Sequence, residues 1–182
     1  GRYAVREVKK ALRKQLIGKR REMDIAYKAH CDKDIFCKLV PLLEKADAVL
    51  TYVSTDIEVD TIAVIEYCLE KGIPVATPVS GDSELTFYEI TSFDDLKEGR
   101  FGIMEPIKRE APFVGGSSSL CVVPALCADG SGLRLGYGRG YYDRYLSRFE
   151  GRSVIVCYSD FRMEVPSEPH DRRADMTIFD SI

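Results

Sequence analysis

From residue 48 onward, short apolar runs rich in β-branched residues alternate with stretches of helical periodicity, and few folds satisfy that alternation. Residues 48–53 read as a buried strand, 61–71 as a helix ended by Gly72, and 73–79 as a second strand. Residues 84–90, bounded by Gly81-Asp82 and Asp94-Asp95, read as a further strand; 120–123 and 154–158 complete the set. Strands joined through helices run parallel, and a parallel sheet is covered on both faces. The expectation is an α/β fold: a single three-layer αβα domain over residues 1–182, with a largely parallel central sheet preceded by two N-terminal helices. No internal repeat occurs, and no linker is long enough to separate two domains.

The two leading helices come from periodicity. Val5, Val8, Leu12 and Leu16 recur at three-to-four spacing with Arg6, Lys9, Lys10, Arg13 and Lys14 on the remaining faces, which predicts an amphipathic helix over 4–22. Lys9 and Arg13 are four apart and share a face. A second helix is expected from Asp24 to about Lys45, kinked or divided at Pro41.

Charge narrows the partners. The net −3 argues against a general nucleic-acid binder or a polybasic membrane protein. It conceals an asymmetry: residues 1–28 hold ten Lys/Arg against three Asp/Glu, while the remaining 154 hold 16 against 26. An anion is therefore expected at the N-terminal end. The six cysteines are scattered without a C-x-x-C pair, and two histidines do not complete a zinc site, so reduced, mostly buried thiols are expected. No apolar run approaches the roughly 20 residues of a membrane span, and no charged-then-apolar leader opens the chain. The expectation is a cytoplasmic protein with no membrane or nucleic-acid partner, as a monomer or weak homo-oligomer.

In open α/β sheets ligands bind beyond the carboxyl ends of the strands, so the loops that follow strands are where chemistry is sought. The strand at 120–123 is followed, after Pro124, by a segment containing Arg134-Leu135-Gly136-Tyr137-Gly138-Arg139-Gly140-Tyr141-Tyr142-Asp143-Arg144. Glycines at 136, 138 and 140 let backbone N–H groups converge on an anion, and a helix over 140–148 adds its dipole. Arg134 and Arg139 supply charge to a phosphate, and Asp143 a hard oxygen ligand for Mg²⁺. The same residues also suit a glycine-rich connector leading into a tyrosine-lined core helix. Neither standard phosphate signature fits: G-x-G-x-x-G requires glycine at Tyr141, and the Walker pattern at Gly18-Lys19 meets Arg13 and Arg20 where it needs glycine and Ser/Thr.

The block from Arg134 to Arg144 closely resembles the signature of the 5-formyltetrahydrofolate cyclo-ligase family, also called methenyltetrahydrofolate synthetase. Lys9-Lys10-Ala11-Leu12-Arg13 is similar to its basic K-x-x-L-R element, residues 54–61 to its S-x-x-x-E-x-[DE]-T segment, and Phe101-Gly102-Ile103-Met104-Glu105-Pro106 to its G-I-x-E-P stretch. These elements fall in family order over nearly the whole chain. Departures are Ala125 and Ala128, where glycine and phenylalanine are common, and Arg139, which is glycine or lysine in many relatives.

The resemblance implies an ATP- and Mg²⁺-dependent enzyme that cyclises 5-formyltetrahydrofolate to 5,10-methenyltetrahydrofolate, releasing ADP and phosphate. The formyl oxygen takes the γ-phosphoryl group, and N10 then attacks the activated carbon. It assigns ATP to Lys9, Lys10, Ala11, Leu12 and Arg13 and to Arg134, Leu135, Gly136, Tyr137, Gly138, Arg139, Gly140, Tyr141 and Tyr142. Val53, Glu58, Phe101 and Tyr137, Gly138, Arg139, Gly140 and Tyr141 border the folate; Arg139 and Tyr141 take the catalytic positions, and Asp143 and Asp175 bind Mg²⁺. The residues leave other roles open. Lys9 and Arg13 also suit a solvated helix face, Tyr141, Tyr142 and Phe101 the core, and Asp175 a cap or an ion pair with Arg172. A catalytically inactive folate- or nucleotide-binding relative is the alternative function, and single-stranded nucleic-acid binding through the basic helix and tyrosines is a third reading.

Overall fold

The computed structural model describes residues 1–182. The chain opens with two long helices, α1 (Arg2–Arg21) and α2 (Ile25–Lys45). The Asp24 carboxylate caps α2 by accepting from the Tyr27 N–H at 3.0 Å. Pro41 does not divide α2, which continues to Lys45. It lies one turn from the end, where few following bonds depend on it.

The buried face of α1 differs from the one that apolar spacing predicts. Val8 is 55% exposed, whereas Lys9 and Arg20 are buried beside Leu16. Polar partners elsewhere in the fold accept these cations, so the inward stripe is mixed.

The rest of the chain builds β1 (Ala48–Thr51), α3 (Ile62–Lys71), β2 (Val75–Ser80), β3 (Leu85–Ile90), the hairpin of β4 (Leu96–Glu98) and β5 (Met104–Pro106), and β6 (Ser119–Val123). There follow the short hairpin of β7 (Cys127–Ala128) and β8 (Arg134–Leu135), then α4 (Tyr141–Leu146), β9 (Arg152–Cys157) and β10 (Met176–Phe179). Six strands form one sheet in the order β10-β9-β6-β1-β2-β3, parallel except β3. A tight turn between β2 and β3, closed by Gly81 N–H to Glu84 O at 2.9 Å, forces that antiparallel pair.

Several boundaries move for local reasons. β2 begins at Val75 rather than 73, because the Gly72 and Ile73 N–H groups both return to the Cys68 carbonyl to close α3. β1 ends at Thr51, leaving Tyr52 and Val53 as buried residues just past its carboxyl end. β10 pairs with β9 in parallel, Ile178 opposite Val156, and is a strand that the sequence reading did not include.

Strands β1, β6 and β9 are buried almost throughout, and helices flank the sheet. Five of the six free cysteines lie inside, and burial pushes the thiols of Cys68 and Cys121 up to about 12. From β1 the chain passes to one side through α3 to β2, then returns to the other side of β1 at β6. The carboxyl ends of β1 and β6 thus flank the switch point where such sheets bind ligands. No helix is long and apolar enough to cross a membrane.

Candidate active site

The loop between β8 and α4 lies against α1. Arg13 Nε donates to the Gly136 carbonyl at 2.8 Å, and a Cβ on Gly138 would stand 3.0 Å from the Arg13 guanidinium carbon. Gly138 (φ 98°) and Gly140 (φ 69°) occupy the left-handed region that disfavours other residues. The N–H groups of residues 136–140 find no acceptor within the chain, so they are available to an external anion.

Lys9 sits one turn before Arg13 and is clamped: Nζ lies 3.1 Å from Glu168 Oε1 and 2.8 Å from Asp171 Oδ2. Glu168 Oε2 is buried without a hydrogen-bond partner. Burial opposes charge on Asp171, but the Lys9 ammonium and the Glu168 N–H outweigh it and hold the carboxyl below its ordinary range. Lys10 and Ala11 are exposed, and Leu12 packs partly against the core.

Arg134, at the start of the loop, is desolvated, which lowers its guanidinium despite the nearby charges of Asp143 and Asp171. It donates to the Pro124 carbonyl at 3.1 Å and lies 5.4 Å from the centre of the Tyr142 ring. Leu135 is buried and pairs with Cys127. Tyr142 is thus an inward aromatic, while the Tyr141 hydroxyl donates to the Gly81 carbonyl at 2.6 Å.

The opposite wall comes from the loop after β1. Glu58 Oε1 accepts from Thr55 N–H (2.9 Å) and Thr55 Oγ1 (3.0 Å). Burial raises the Glu58 carboxyl, opposed by the Thr55 donors, the Tyr137 phenol and the charge of Arg20. Tyr137 is half exposed, and burial together with Glu58 raises its phenol. Val53 is buried beside this wall.

Arg139 and Phe101 meet at the rim, the guanidinium carbon 4.7 Å from the ring centre. Phe101 is 63% exposed and holds φ 60°, ψ 24°, the chain's one non-glycine residue at positive φ. That exposure places the ring outside the core.

Asp143 Oδ1 accepts from the Arg172 N–H at 3.3 Å, which brings it beside the segment containing Asp171. Asp175 Oδ2 accepts from the Ser153 N–H (2.8 Å) and Oγ (3.3 Å) at the start of β9, and Asp175 lines one hollow with Asp171 and Arg172. Glu168 and Asp171, which touch Lys9, and Arg20, which touches Ile57 beside Glu58, are neighbours that sequence reasoning missed. The Glu168 and Asp171 contacts with Lys9 span 159 and 162 positions, and no local signal marks them.

The model of the 5-formyltetrahydrofolate cyclo-ligase family matches residues 5–180. The chain is 31% identical over 132 residues to the 5-formyltetrahydrofolate cyclo-ligase of Mycolicibacterium smegmatis, covering 68% of each. It is 32% identical over 157 residues to the probable 5-formyltetrahydrofolate cyclo-ligase of Caenorhabditis elegans, covering 79% of this chain and 75% of the relative. Among solved structures, 5,10-methenyltetrahydrofolate synthetase of Aquifex aeolicus aligns with a TM-score of 0.83 at 29% identity, covering 96% of this chain and 91% of the other. The synthetase of Mycoplasma pneumoniae aligns at 0.72 and 25%, covering 93% and 97%.

Proposed function

The chain belongs to the 5-formyltetrahydrofolate cyclo-ligase family of enzymes, and from that premise we propose that it uses ATP to close 5-formyltetrahydrofolate to 5,10-methenyltetrahydrofolate, releasing ADP and phosphate. The observation that carries the reading is the contact of Arg13 with Gly136, which joins a cationic helix face to a loop of free N–H groups at the sheet's switch point.

The chemistry suits these groups. An amide oxygen is a poor leaving group; transfer of the γ-phosphoryl group to the formyl oxygen makes it a good one, and N10 attack then expels phosphate. Such a transfer calls for positioning and charge neutralisation more than for a protein nucleophile. Arg13, Lys9, Arg134 and the N–H groups of 136–140 would bind the triphosphate, and Arg139 would stand at the transferring phosphoryl group. Glu58, as an acceptor, matches the N–H edge of a pterin, with Val53, Phe101 and Tyr137 along the rings. Tyr141 would reach the reacting atoms by giving up its bond to the Gly81 carbonyl.

The residues present fit Mg²⁺ carried in on phosphate. No cluster of three His, Cys, Asp or Glu offers an all-protein cage, whereas Mg²⁺ in nucleotide sites takes one or two carboxylates with phosphate oxygens and water. Asp143 and Asp175 would hold it: Asp175 meets Ser153 through Oδ2 alone, whereas Asp171 is taken by the Lys9 ammonium and the Glu168 N–H, and the unpartnered Glu168 Oε2 adds negative charge nearby. When bound, Mg²⁺ neutralises charge on the phosphates.

Mixing the folded protein with ATP, Mg²⁺ and 5-formyltetrahydrofolate should generate the methenyl chromophore. Absence of an ATP-dependent signal refutes the reading, and tight folate binding without turnover selects the inactive relative. The departures at 125 and 128 give that alternative little support. Both side chains are buried, and the Ala125 and Ala128 carbonyls still serve as acceptors for Arg20 and Met163.

A further inference from the structure

Arg20 occupies the last inward turn of α1 at 3% exposure and takes part in no ion pair within 4 Å. Its guanidinium donates to the carbonyls of Ile57 (3.1 Å), Ala125 (2.7 Å) and Leu126 (2.9 Å). The same group lies 4.4 Å from the centre of the Phe161 ring and 5.0 Å from that of Tyr158, and its Nε is buried without an acceptor. Carbonyl dipoles and ring faces offset part of the cost of burying a cation, and a carboxylate partner would offset more.

The placement of the three carbonyls gives this cation a task. Ile57 precedes Glu58 in the loop after β1, and Ala125 and Leu126 belong to the loop after β6. One side chain therefore ties together the two walls of the switch-point crevice. Glu58 is faced by Arg20 from α1, by Tyr137 from the glycine loop, by Tyr52 from the end of β1 and by Tyr142 from α4; Arg20 is the cation among them.

We infer that Arg20 is a positioning residue for the folate arm of the site: through its three carbonyl contacts it holds the Glu58 loop against the loop after β6, so that Glu58 stands in place for the substrate. This rests on the cyclo-ligase reading. The arginine fork matters as well as the charge, because lysine has three donors on a point charge where arginine has five in a plane.

The test compares Arg20→Met and Arg20→Lys with the unaltered enzyme. Steady-state kinetics for both substrates are combined with calorimetric binding of 5-formyltetrahydrofolate in the absence of nucleotide. Arg20→Met should raise the folate Kd and KM about tenfold and leave the nucleotide KM near its original value. Arg20→Lys, which keeps the charge and loses the fork, should also weaken folate binding. Equal changes in both KM values, or an unchanged folate Kd in Arg20→Met, would overturn the inference. If Arg20→Met does not fold, Arg20→Lys decides: a nucleotide KM raised as much as the folate KM overturns it. Failure of the unaltered enzyme to form methenyl product refutes the cyclo-ligase reading instead, and is thereby told apart.

Discussion

Arg13 Nε donates to the Gly136 carbonyl at 2.8 Å, across 123 positions of sequence, and so fixes the first helix to the glycine loop. Burial lowers the Arg13 guanidinium, and Asp171 and Glu168 counter that effect, so the cation is held inside a charged cluster. Replacing Arg13 by Ala removes a charged hydrogen bond worth about 1.5–3 kcal/mol. The nucleotide KM should rise roughly tenfold to a hundredfold, with the folate KM little changed. Unaltered nucleotide kinetics would reduce this helix face to a structural role.

Lys9→Met tests the clamp by a different route. It leaves Glu168 and Asp171 buried without their cation, a loss of about 3–5 kcal/mol, so the melting temperature should drop by on the order of 10 °C. Asp171 has a lowered folded-state pKa, so its contribution is present above the unfolded value near 3.9 and is lost as pH falls through the folded one. The melting-temperature gap between the two proteins should therefore narrow below about pH 4. A gap that does not change with pH would exclude the Lys9–Asp171 pair as its source.

Glu58 governs the acid side of folate use. Its carboxyl is raised by burial, and as pH falls through that value it gains a proton and loses its capacity as an acceptor. Folate kcat/KM should fall on the acid side at a pH above the ordinary glutamate value of about 4.3, and in Glu58→Gln that limb should vanish with a lower plateau. Retention of the same limb in Glu58→Gln would assign it to another group.

Phe101→Gly separates strain from function. A non-glycine residue in the left-handed region costs roughly 1–2 kcal/mol, part of which glycine returns to chain entropy. The melting temperature should stay constant or rise by up to about 4 °C, while the folate KM increases because the ring beneath Arg139 is gone. Lower stability with unchanged folate kinetics would make the ring a packing element.

Periodicity and turn chemistry were enough for the strands near 48–53, 84–90, 120–123 and 154–158, and for α3 with its Gly72 cap, because these signals lie within a few residues. β4, β5, β7 and β8 escaped them, since two or three residues show no period and the pairing partner supplies the signal. β10 is little longer and lies at the sheet edge, where Met176 and Thr177 are half-buried. Val8 shows the limit of apolar spacing. It matched the predicted stripe and stands in solvent, while Lys9 and Arg20 turned inward to partners more than a hundred positions away.

The sequence by itself determined the α/β class, the glycine loop that leads into a short helix, and the presence of cations for an anion at the N-terminal end. Each of these depends on residue type and near-neighbour spacing. Tertiary structure alone decided that Arg13 meets Gly136, that Lys9 is clamped by Glu168 and Asp171, that Asp175 turns to Ser153, and that Arg20 is buried between two loops. A charge is stable inside only where distant dipoles and counter-charges converge on it, and that convergence exists only in the closed chain.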